Sequence, residues 1–287
     1  MSRIKELSKW TNEDLDILRE KYPTTNTDEL AKLLGRSRQA VVLKANRIGV
    51  KKHHHTQNDS YFDNVDNATV AYWLGFLSAD GYVNYSPTGG TYEVGIELAS
   101  KDEEHLVNFL RDINSSGLIY RREKSPFVHK GYISSYKESS VRIYSKHMVE
   151  SLNKYGIINS KTYSITFPDN IPRNYIWDYI RGFFDGDGSV FVRDVQSCSG
   201  KIFPYIGVNF TAYSKEFLLG LRDKLLEENI SPTINKVDKN GDSYQLYIRK
   251  QEDVAKFFRL IYPSSSVRKL ERKYIRFINF YSEKLPA

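Results

Sequence analysis

The feature that most constrains the fold of this chain is a block of glycines and acids that occurs twice, 107 residues apart. "WLGFLSADGYV" at residues 73–83 aligns without gaps with "IRGFFDGDGSV" at residues 180–190, and five of the eleven positions are identical. In each block a glycine comes four residues before a second small residue: Gly75 before Ala79, and Gly182 before Gly186. At 3.6 residues per turn, such a pair clears one strip of a helix surface, so two such helices can bring their backbones close together.

An acid follows each strip, Asp80 in the first block and Asp187 in the second. Negative charge at a helix C-terminus is disfavoured by a few tenths to about 1 kcal/mol. If the helices cross at their small faces, the two carboxylates lie side by side, and each raises the pKa of the other unless a divalent cation is bound. Hard oxygen ligands without histidine or cysteine nearby suit Mg²⁺. We expect Gly81 and Gly188 to end the helices in the left-handed conformation.

The same order of elements follows each block. Alternating apolar and polar residues predict strands, and amphipathic segments predict helices. The second helix of the first copy has Asp102 as its expected N-cap, and that of the second copy has Ser214. The strand segments are 92–100, 117–123 and 139–145 in the first copy and 205–213, 233–239 and 243–250 in the second. Each copy therefore reads as αββαββα, an α+β pattern used twice.

The two blocks resemble the motif of the LAGLIDADG homing endonucleases, and the resemblance extends over residues 61–280. It implies a pseudo-symmetric monomer in which two four-stranded antiparallel saddles surround a central pair of motif helices. It also implies that the saddles lie along the major groove of a long, asymmetric duplex DNA target. Such an enzyme hydrolyses both strands across the minor groove and leaves short 3′ overhangs, as in the homing of introns and other mobile elements.

Carried over to this chain, the resemblance makes Asp80 and Asp187 the ligands of a catalytic Mg²⁺. The backbone carbonyls of Ala79 and Gly186 become additional ligands. Ser78 departs from the motif, which has an acid at this position. That position is structural in the family, so we expect weaker polar contacts at the end of the first helix.

Members of the family often place a lysine near each active site. By position after the third helix of each copy, Lys161 and Lys269 are the catalytic candidates, and Lys101 is a further one. Each of these lysines could equally contact the phosphate backbone or solvent. The strand residues expected to read DNA are Tyr92, Arg121, Arg142, Arg193, Tyr205, Asn209, Gln245 and Arg249. Tyrosine on a strand is more often half-buried packing.

The N-terminal segment carries most of the basic excess. The whole chain has a formal net charge of +7. Residues 1–52 hold 12 Lys and Arg against 7 Asp and Glu, whereas the remainder holds 30 against 28. This distribution favours a polyanionic partner through counterion release, although a solvated basic surface would look the same.

Three short helices are predicted in this segment. Thr11 or Asn12, then Thr27, then Ser37 are the expected N-caps, and Gly35 and Gly49 are the expected stops. The pattern resembles Myb/SANT-like and other helix-turn-helix domains over about residues 9–50, which implies DNA contacts from one face of the third helix. The candidate contacts are Arg36, Arg38, Gln39, Asn46 and Arg47. A trihelical protein-interaction module is the alternative.

The predicted organisation is a helix-turn-helix domain at residues 1–52, a polar linker at 53–67, and repeats at 68–170 and 171–287. The linker histidines His53, His54 and His55 are adjacent and do not share a helix face, so we do not expect a metal site there. Cys198 is the single cysteine of the sequence, which excludes an intramolecular disulfide and fits a reducing compartment.

No apolar run reaches the roughly 18 residues that a membrane span needs, so we expect a soluble, intracellular protein of a prokaryotic cell or an organelle. Two other functions remain open on this fold: a DNA-binding regulator that does not cleave, and an RNA maturase. Regulators of this type typically lose the motif acids, whereas this chain keeps both. The C-terminal sequence "SEKLPA" lacks the His-Asn pair of an intein, so we do not expect protein splicing.

Overall fold

The computed structural model of the chain describes residues 9–23, 25–51, 55–86, 90–123, 127–129, 132–134, 137–237 and 242–282. His53 and His54 of the linker lie outside these ranges, as do both chain ends. Within the described ranges, no helix combines the length and the apolar character that crossing a bilayer requires.

The N-terminal part forms three short helices, as predicted: α1 (Asn12–Lys21), α2 (Thr27–Leu34) and α3 (Arg38–Arg47). Gly35 ends α2 in the left-handed conformation, with φ 61°. The helices enclose a small core of their own, formed by Leu18, Tyr22, Leu30, Ala31, Leu34, Val41 and Ala45. A role of this unit in DNA binding stays a prediction.

Two of the three predicted N-caps are confirmed. Thr11 caps α1 in a capping box, and Ser37 caps α3. The prediction of Thr27 is wrong, because Asn26 caps α2 by accepting a hydrogen bond from Asp28 N at 2.7 Å. Asparagine is a stronger N-cap than threonine, which therefore becomes the first helical residue.

The two repeats follow with equivalent elements. The first comprises α4 (Ala68–Ala79), β1 (Gly81–Ser86), β2 (Thr91–Ala99), α5 (Glu103–Asp112), β3 (Tyr120–Glu123), β4 (Phe127–His129), β5 (Tyr132–Ser134), β6 (Lys137–Tyr144) and α6 (Lys146–Asn153). The second comprises α7 (Ile176–Asp187), β7 (Gly188–Gln196), β8 (Ile202–Ala212), α8 (Lys215–Glu227), β9 (Thr233–Lys236), β10 (Tyr244–Ile248), α9 (Gln251–Ile261) and α10 (Glu271–Ser282). The small hairpin β4–β5 and the final helix α10 were not predicted.

Each repeat contains a four-stranded antiparallel sheet, with strand orders β1-β2-β6-β3 and β7-β8-β10-β9. These orders are identical once the hairpin β4–β5 is set aside, so the two sheets are pseudo-symmetric. The predicted α+β class with two αββαββα repeats is confirmed.

The two faces of each sheet differ in character, because successive strand residues point to opposite sides. One face packs against the helices, through buried residues such as Val94 and Val141 in the first sheet and Val208 and Leu246 in the second. We call the opposite side the outward face. Its residues are Tyr82, Asn84, Glu93, Glu97, Tyr120, Arg122, Ser140, Arg142 and Tyr144 in repeat 1 and Ser189, Phe191, Arg193, Tyr205, Asn209, Thr211, Thr233, Asn235, Gln245 and Tyr247 in repeat 2.

The repeats meet where α4 packs against α7 at backbone distance. A Cβ added to Gly75 would overlap the carbonyl oxygen of Tyr179, and a Cβ added to Gly182 would overlap the carbonyl oxygen of Tyr72. The two contacts are reciprocal, so each glycine accommodates the backbone of the other helix. The prediction from the small-residue strips is therefore confirmed.

We expect Gly75→Ala and Gly182→Ala each to destabilise the protein by about 3 kcal/mol or more, because overpacking here pushes two backbones apart rather than displacing a side chain. Chemical denaturation followed by circular dichroism measures the change. Gly156→Ala is the control, since Gly156 has φ 77° and open space within 4 Å of an added Cβ. Its cost should be only the roughly 1–2 kcal/mol of a left-handed backbone, and equal costs at all three glycines would contradict the close contact.

Candidate active site

The two motif acids lie at neighbouring helix ends. Asp80 is the C-cap residue of α4, and Asp187 is the last residue of α7. Gly186 allows the ends to meet, because an added Cβ there would lie 3.5 Å from Asp80 Cγ and would overlap the Ala79 side chain. The structure thus brings together the two acids that the sequence singles out.

The glycines that follow these acids do not have the predicted conformation. Gly188 is extended, with φ −77° and ψ 159°, and Gly81 begins strand β1. Both positions need glycine for a different reason: an added Cβ would lie 2.7 Å from Leu77 Cα in the first motif and 2.6 Å from Phe184 O in the second. The chain turns directly from helix to strand, and only glycine fits under the preceding turn.

A buried lysine binds the end of each motif helix. Lys161 Nζ donates to the carbonyl oxygens of Ala79, at 3.3 Å, and Gly81, at 2.6 Å. In repeat 2 the corresponding lysine is Lys273, whose Nζ donates at 2.7, 2.7 and 2.5 Å to the carbonyl oxygens of Phe184, Gly186 and Gly188. Each ammonium group is thereby held beside an aspartate.

The structure places Lys269, the second predicted lysine, away from this position. Its Nζ donates to Ser265 O at 2.6 Å and pairs with Glu271 at 3.4 Å. Lys101, the further candidate, is exposed in the short turn before α5. The sequence contains a signal for Lys273, because it shares the apolar stripe of α10 with Phe277 and Phe280 and is buried with them.

The four charged groups shift one another's pKa. Burial raises the pKa of Asp187 to about 6, with a further rise from the charge of Asp80, while Lys161 and Lys273 lower it. Burial also raises the pKa of Asp80. For the lysines burial acts in the opposite direction, lowering the pKa of Lys273 to about 8 and lowering that of Lys161. Although protein atoms crowd Asp187, its side chain keeps access to solvent, so an ion can reach it.

Asp185, a buried acid two residues before Asp187 in α7, connects the two repeats by hydrogen bonds. The Asp185 carboxylate accepts hydrogen bonds from Tyr72 Oη of α4 at 2.8 Å and from Tyr262 Oη at 2.6 Å. It also accepts one from Leu270 N at 2.7 Å, immediately before α10. Asp185 therefore fixes the segment that carries Lys273.

The first motif has a weaker counterpart of this network. Ser78 occupies the position of Asp185, and its Oγ accepts one hydrogen bond, from Tyr179 Oη at 3.0 Å. The Ser78 hydroxyl donates to Leu74 O of its own helix at 2.8 Å. The buried polar contacts at the helix crossing are thus unequal in the two motifs.

The donor set at the crossing fits a divalent cation. The carboxylates of Asp80 and Asp187, at neighbouring helix ends, are hard oxygen donors, and Mg²⁺ commonly takes one or two carboxylates and keeps several waters. Ala79 O and Gly186 O, the predicted additional ligands, already accept from Lys161 and Lys273, so a cation would share these oxygens with ammonium groups. Within the described ranges, no group of three or more His, Cys, Asp and Glu side chains is arranged to hold a metal ion.

The predicted DNA-reading residues of repeat 2 share the outward face. Arg193 lies over the ring of Tyr205, its partner across the strand pair. Gln245 Nε2 donates to Thr211 Oγ1 at 3.0 Å. Arg249, just beyond β10, stacks on the outward-facing Tyr247 with 4.1 Å between guanidinium carbon and ring centroid. Asn209 belongs to the same face, opposite Ser189.

In repeat 1 only Arg142 of the predicted readers is on the outward face. Tyr92 pairs with Tyr85 and packs on the core side. Arg121 forms a bidentate ion pair with Glu103 of α5, at 2.7 Å, and so lies on the helix side as well. The prediction of outward orientation is wrong for Tyr92 and Arg121, because a shift of one residue along a strand reverses the face. Arg122 is the outward-facing arginine of β3.

The predicted contacts of α3 also divide into two groups. Arg38, Gln39, Asn46 and Arg47 are exposed. The Arg36 side chain is only 10% exposed and pairs with Asp14 at 3.1 Å, while its guanidinium stacks on Trp10. The structure therefore makes Arg36 a packing residue of the three-helix unit rather than a surface contact.

The raised pKa of Asp187 can be tested directly. We expect its ¹³C carboxyl resonance in the metal-free protein to titrate with a midpoint near pH 6, and Asp80→Asn should lower that midpoint by removing the neighbouring negative charge. Since the folded protein holds this proton more tightly than the unfolded chain, ionisation should reduce stability as pH rises from about 4 to about 6. Asp194→Asn, on the far part of β7, is the control. An ordinary midpoint that Asp80→Asn does not change would contradict the coupling.

Comparisons with known proteins point to one family. Residues 174–262 match the LAGLIDADG-like domain. Among curated proteins, a DNA polymerase of Thermococcus hydrothermalis is 29% identical over 132 residues, covering 45% of this chain and 7% of that protein. A probable translation initiation factor IF-2 of Methanocaldococcus jannaschii is 24% identical over 216 residues, covering 71% and 16%. The chain thus spans less than a fifth of either relative.

Two solved structures share the fold. The LAGLIDADG meganuclease I-AabMI, bound to uncleaved DNA, superposes with a TM-score of 0.51 at 14% identity, covering 76% of this chain and 92% of that one. The LAGLIDADG homing endonuclease I-GzeII, in complex with its DNA target, superposes with a TM-score of 0.50 at 14% identity, covering 75% and 89%. Residues 174–262 therefore match a LAGLIDADG-like domain, and the chain has the fold of these two meganuclease structures.

Proposed function

We propose that this chain is a site-specific homing endonuclease that makes metal-dependent double-strand breaks in a long, asymmetric duplex DNA and leaves short 3′ overhangs. The observation that carries the proposal is the pairing of Asp80 and Asp187 at the helix crossing, each beside a buried lysine. A carboxylate whose pKa is raised by burial and by a neighbouring acid, as that of Asp187 is, is costly to maintain for structure alone. The pair lies between the two sheets whose outward faces would bind the duplex.

In this proposal Asp80 and Asp187 hold a divalent cation, Mg²⁺, which supplies Lewis-acid stabilisation of charge and lowers the pKa of bound water. The carboxylates must be ionised to bind it, which the nearby lysines favour. Lys161 and Lys273 place positive charge where negative charge develops on the phosphate during hydrolysis. Their backbone acceptors fix both ammonium groups in advance, so little reorganisation is needed.

The outward faces supply the contacts to DNA. Repeat 2 presents Arg193, Gln245 and Arg249, side chains that bind base edges in the major groove or the phosphates. Repeat 1 presents Arg142, one of the predicted residues, and Arg122 in place of Arg121 and Tyr92. One chain with two unlike faces suits an asymmetric target and action as a monomer.

A DNA-binding regulator without cleavage activity is the second candidate, and an RNA maturase is the third. Both acids and both lysines are present at the crossing, which favours cleavage over binding alone. Intron homing by a mobile element follows from the same family resemblance. A splicing assay with candidate host introns would separate maturase activity from DNA cleavage.

The test is a plasmid cleavage assay with Mg²⁺, using targets selected from a randomised duplex library. Asp80→Asn and Asp187→Asn should each reduce the rate of double-strand cleavage by a factor of at least about 10². DNA affinity, measured in EDTA, should be unchanged. Full activity of either variant would remove the proposed cation-binding role. Binding by the wild-type chain without any cleavage would favour the regulator.

A matched pair of lysine variants serves as the control. Lys273→Met should reduce cleavage strongly, because it removes the ammonium group beside Asp187. Lys269→Met should leave cleavage nearly unchanged, because the Lys269 ammonium group binds Ser265 O and Glu271 instead of the end of a motif helix. If Lys269→Met reduced cleavage and Lys273→Met did not, Lys269 would be the catalytic lysine, as the sequence predicted.

The N-terminal helices are proposed to extend the DNA contact. The linker that joins them to repeat 1 is fixed to it, since Thr56 and Ser116 exchange hydrogen bonds and Asn58 N donates to Ile113 O at 2.8 Å. A cleft of about 430 Å³ separates the start of α2 from the outward face of repeat 1, and Arg38 lines it together with Arg142. The start of α3, with Arg38, therefore lies near a face that is proposed to bind DNA.

Deleting residues 1–51 should weaken binding to the selected duplex and make the dependence on salt less steep. The double variant Arg38→Gln/Arg47→Gln should lower the slope of log K against log salt by about two, roughly one for each lost phosphate contact. Fluorescence anisotropy across a salt series gives both quantities. Unchanged affinity and slope would favour the protein-interaction module instead.

A further inference from the structure

Two small pockets flank the aspartate pair, one in each repeat, and they occupy pseudo-symmetric positions. The pocket of repeat 1, about 360 Å³, lies between the start of β1 (residues 81–84) and residues 158–162. The pocket of repeat 2, about 240 Å³, lies between residues 186–190 and α10. Each contains the buried lysine of its repeat, so each is the space beside one half of the candidate active site.

The charges that line these pockets are unequal. In repeat 1, Lys161 is joined by the neutral side chains of Asn84, Asn159, Ser160 and Thr162. In repeat 2, Lys273 is joined by two arginines, Arg272 and Arg276, and by the Asp187 carboxylate, so three cations and one acid line this pocket. The difference comes from α10, since its first turns present all three cations to one pocket, whereas Lys161 lies in a single 3₁₀ turn.

The two arginines are held differently. Arg272 Nε donates to both carboxylate oxygens of Asp102, at 3.0 and 2.9 Å, so this acid of repeat 1 anchors a cation of repeat 2. Asp102 is the N-cap residue of α5, as predicted, but its side chain makes this contact instead of a capping hydrogen bond. Arg276 is exposed and donates from Nη1 to Val190 O at 3.0 Å. Arg276 lines the pocket together with the Asp187 carboxylate, and among the described residues it forms no ion pair, so its guanidinium keeps free donors for a phosphate bound there.

The basic side of the repeat 2 pocket is rigidly mounted. Leu270 N binds the buried Asp185 carboxylate, and Lys273 binds three carbonyl oxygens at the end of α7. These contacts fix the start of α10 against the motif helix. Arginine donors on a fixed helix suit a phosphate, because the planar guanidinium donates two parallel hydrogen bonds to its oxygens.

We propose that Arg276, supported by Arg272, binds the scissile phosphate beside Asp187, so that the strand in the repeat 2 pocket is cut first and the strand in the repeat 1 pocket second. The inference rests on the proposed endonuclease function and adds an order to it. In each strand water oxygen bonds to phosphorus, the P–O3′ bond breaks, and a water proton passes to the 3′ oxygen. An additional fixed cation stabilises the charge that develops on the phosphate in this step, and only one pocket provides it.

The kinetic test uses a duplex target with a different label on each strand, together with a supercoiled plasmid that carries the same site. Wild-type protein should accumulate nicked plasmid and cut one labelled strand about tenfold faster or more. Arg276→Gln should slow that strand selectively and leave the other nearly unchanged, and Arg276→Lys should restore part of the rate. Thr162→Arg, which adds a cation to the exposed rim of the repeat 1 pocket, should accelerate the second strand.

A binding measurement in EDTA tests the same assignment without catalysis. A neutral methylphosphonate at the scissile position should weaken binding more in the first-cut strand than in the second, and Arg276→Gln should remove this difference. Equal rates on both strands in the wild type, or equal slowing of both by Arg276→Gln, would overturn the proposed order while leaving the endonuclease function intact. If the wild-type protein cleaves neither strand, the endonuclease function itself is overturned.

Discussion

The close contact between α4 and α7 is the constraint on which the rest of the structure depends. Gly75 and Gly182 let each helix lie against the carbonyl oxygens of the other. Because the helices approach so closely, their C-terminal ends converge, and the acids that follow converge with them. A larger side chain on either strip would separate the repeats and the two carboxylates together. The same residues therefore determine the interface, the angle between the sheets and the position of the candidate active site.

Two acids at adjacent helix ends are unfavourable when ionised, and two buried lysines, held by backbone carbonyl oxygens, offset this cost. Burial raises the pKa of both aspartates, and the charge of Asp80 raises that of Asp187 further. Lys161 and Lys273 offset this effect, and carbonyl oxygens at the helix ends keep both ammonium groups in place. The carbonyl oxygens left without partners at a helix C-terminus carry partial negative charge. A buried lysine at each end satisfies them and supplies a cation beside the acid.

Sequence reasoning predicted the architecture well because the repeat is long and its glycines have a steric meaning. It predicted the helix crossing, the order of strands and helices and the pairing of Asp80 with Asp187. It was less successful at assigning individual side chains, where a shift of one or a few residues changes which side chain reaches the site. Tyr92 and Arg121 were assigned to the wrong face because strand register is not encoded in local composition. Lys269 was chosen over Lys273 because the loop before α10 is longer than its counterpart in repeat 1, and Asp102 was assigned a local role although its partner is 170 residues away.

The unequal pair of Asp185 and Ser78 has a consequence for protein engineering. Each binds a tyrosine from the opposite motif helix, Tyr72 for the acid and Tyr179 for the serine. The two halves are therefore no longer interchangeable, although their folds are equivalent. A chimera that takes one half from a relative must import a matching residue for the tyrosine it faces, or a carboxylate is buried without its donors. Compatibility between two halves thus depends on the buried residues Asp185 and Ser78 in the helix crossing, not on the residues of the outward faces.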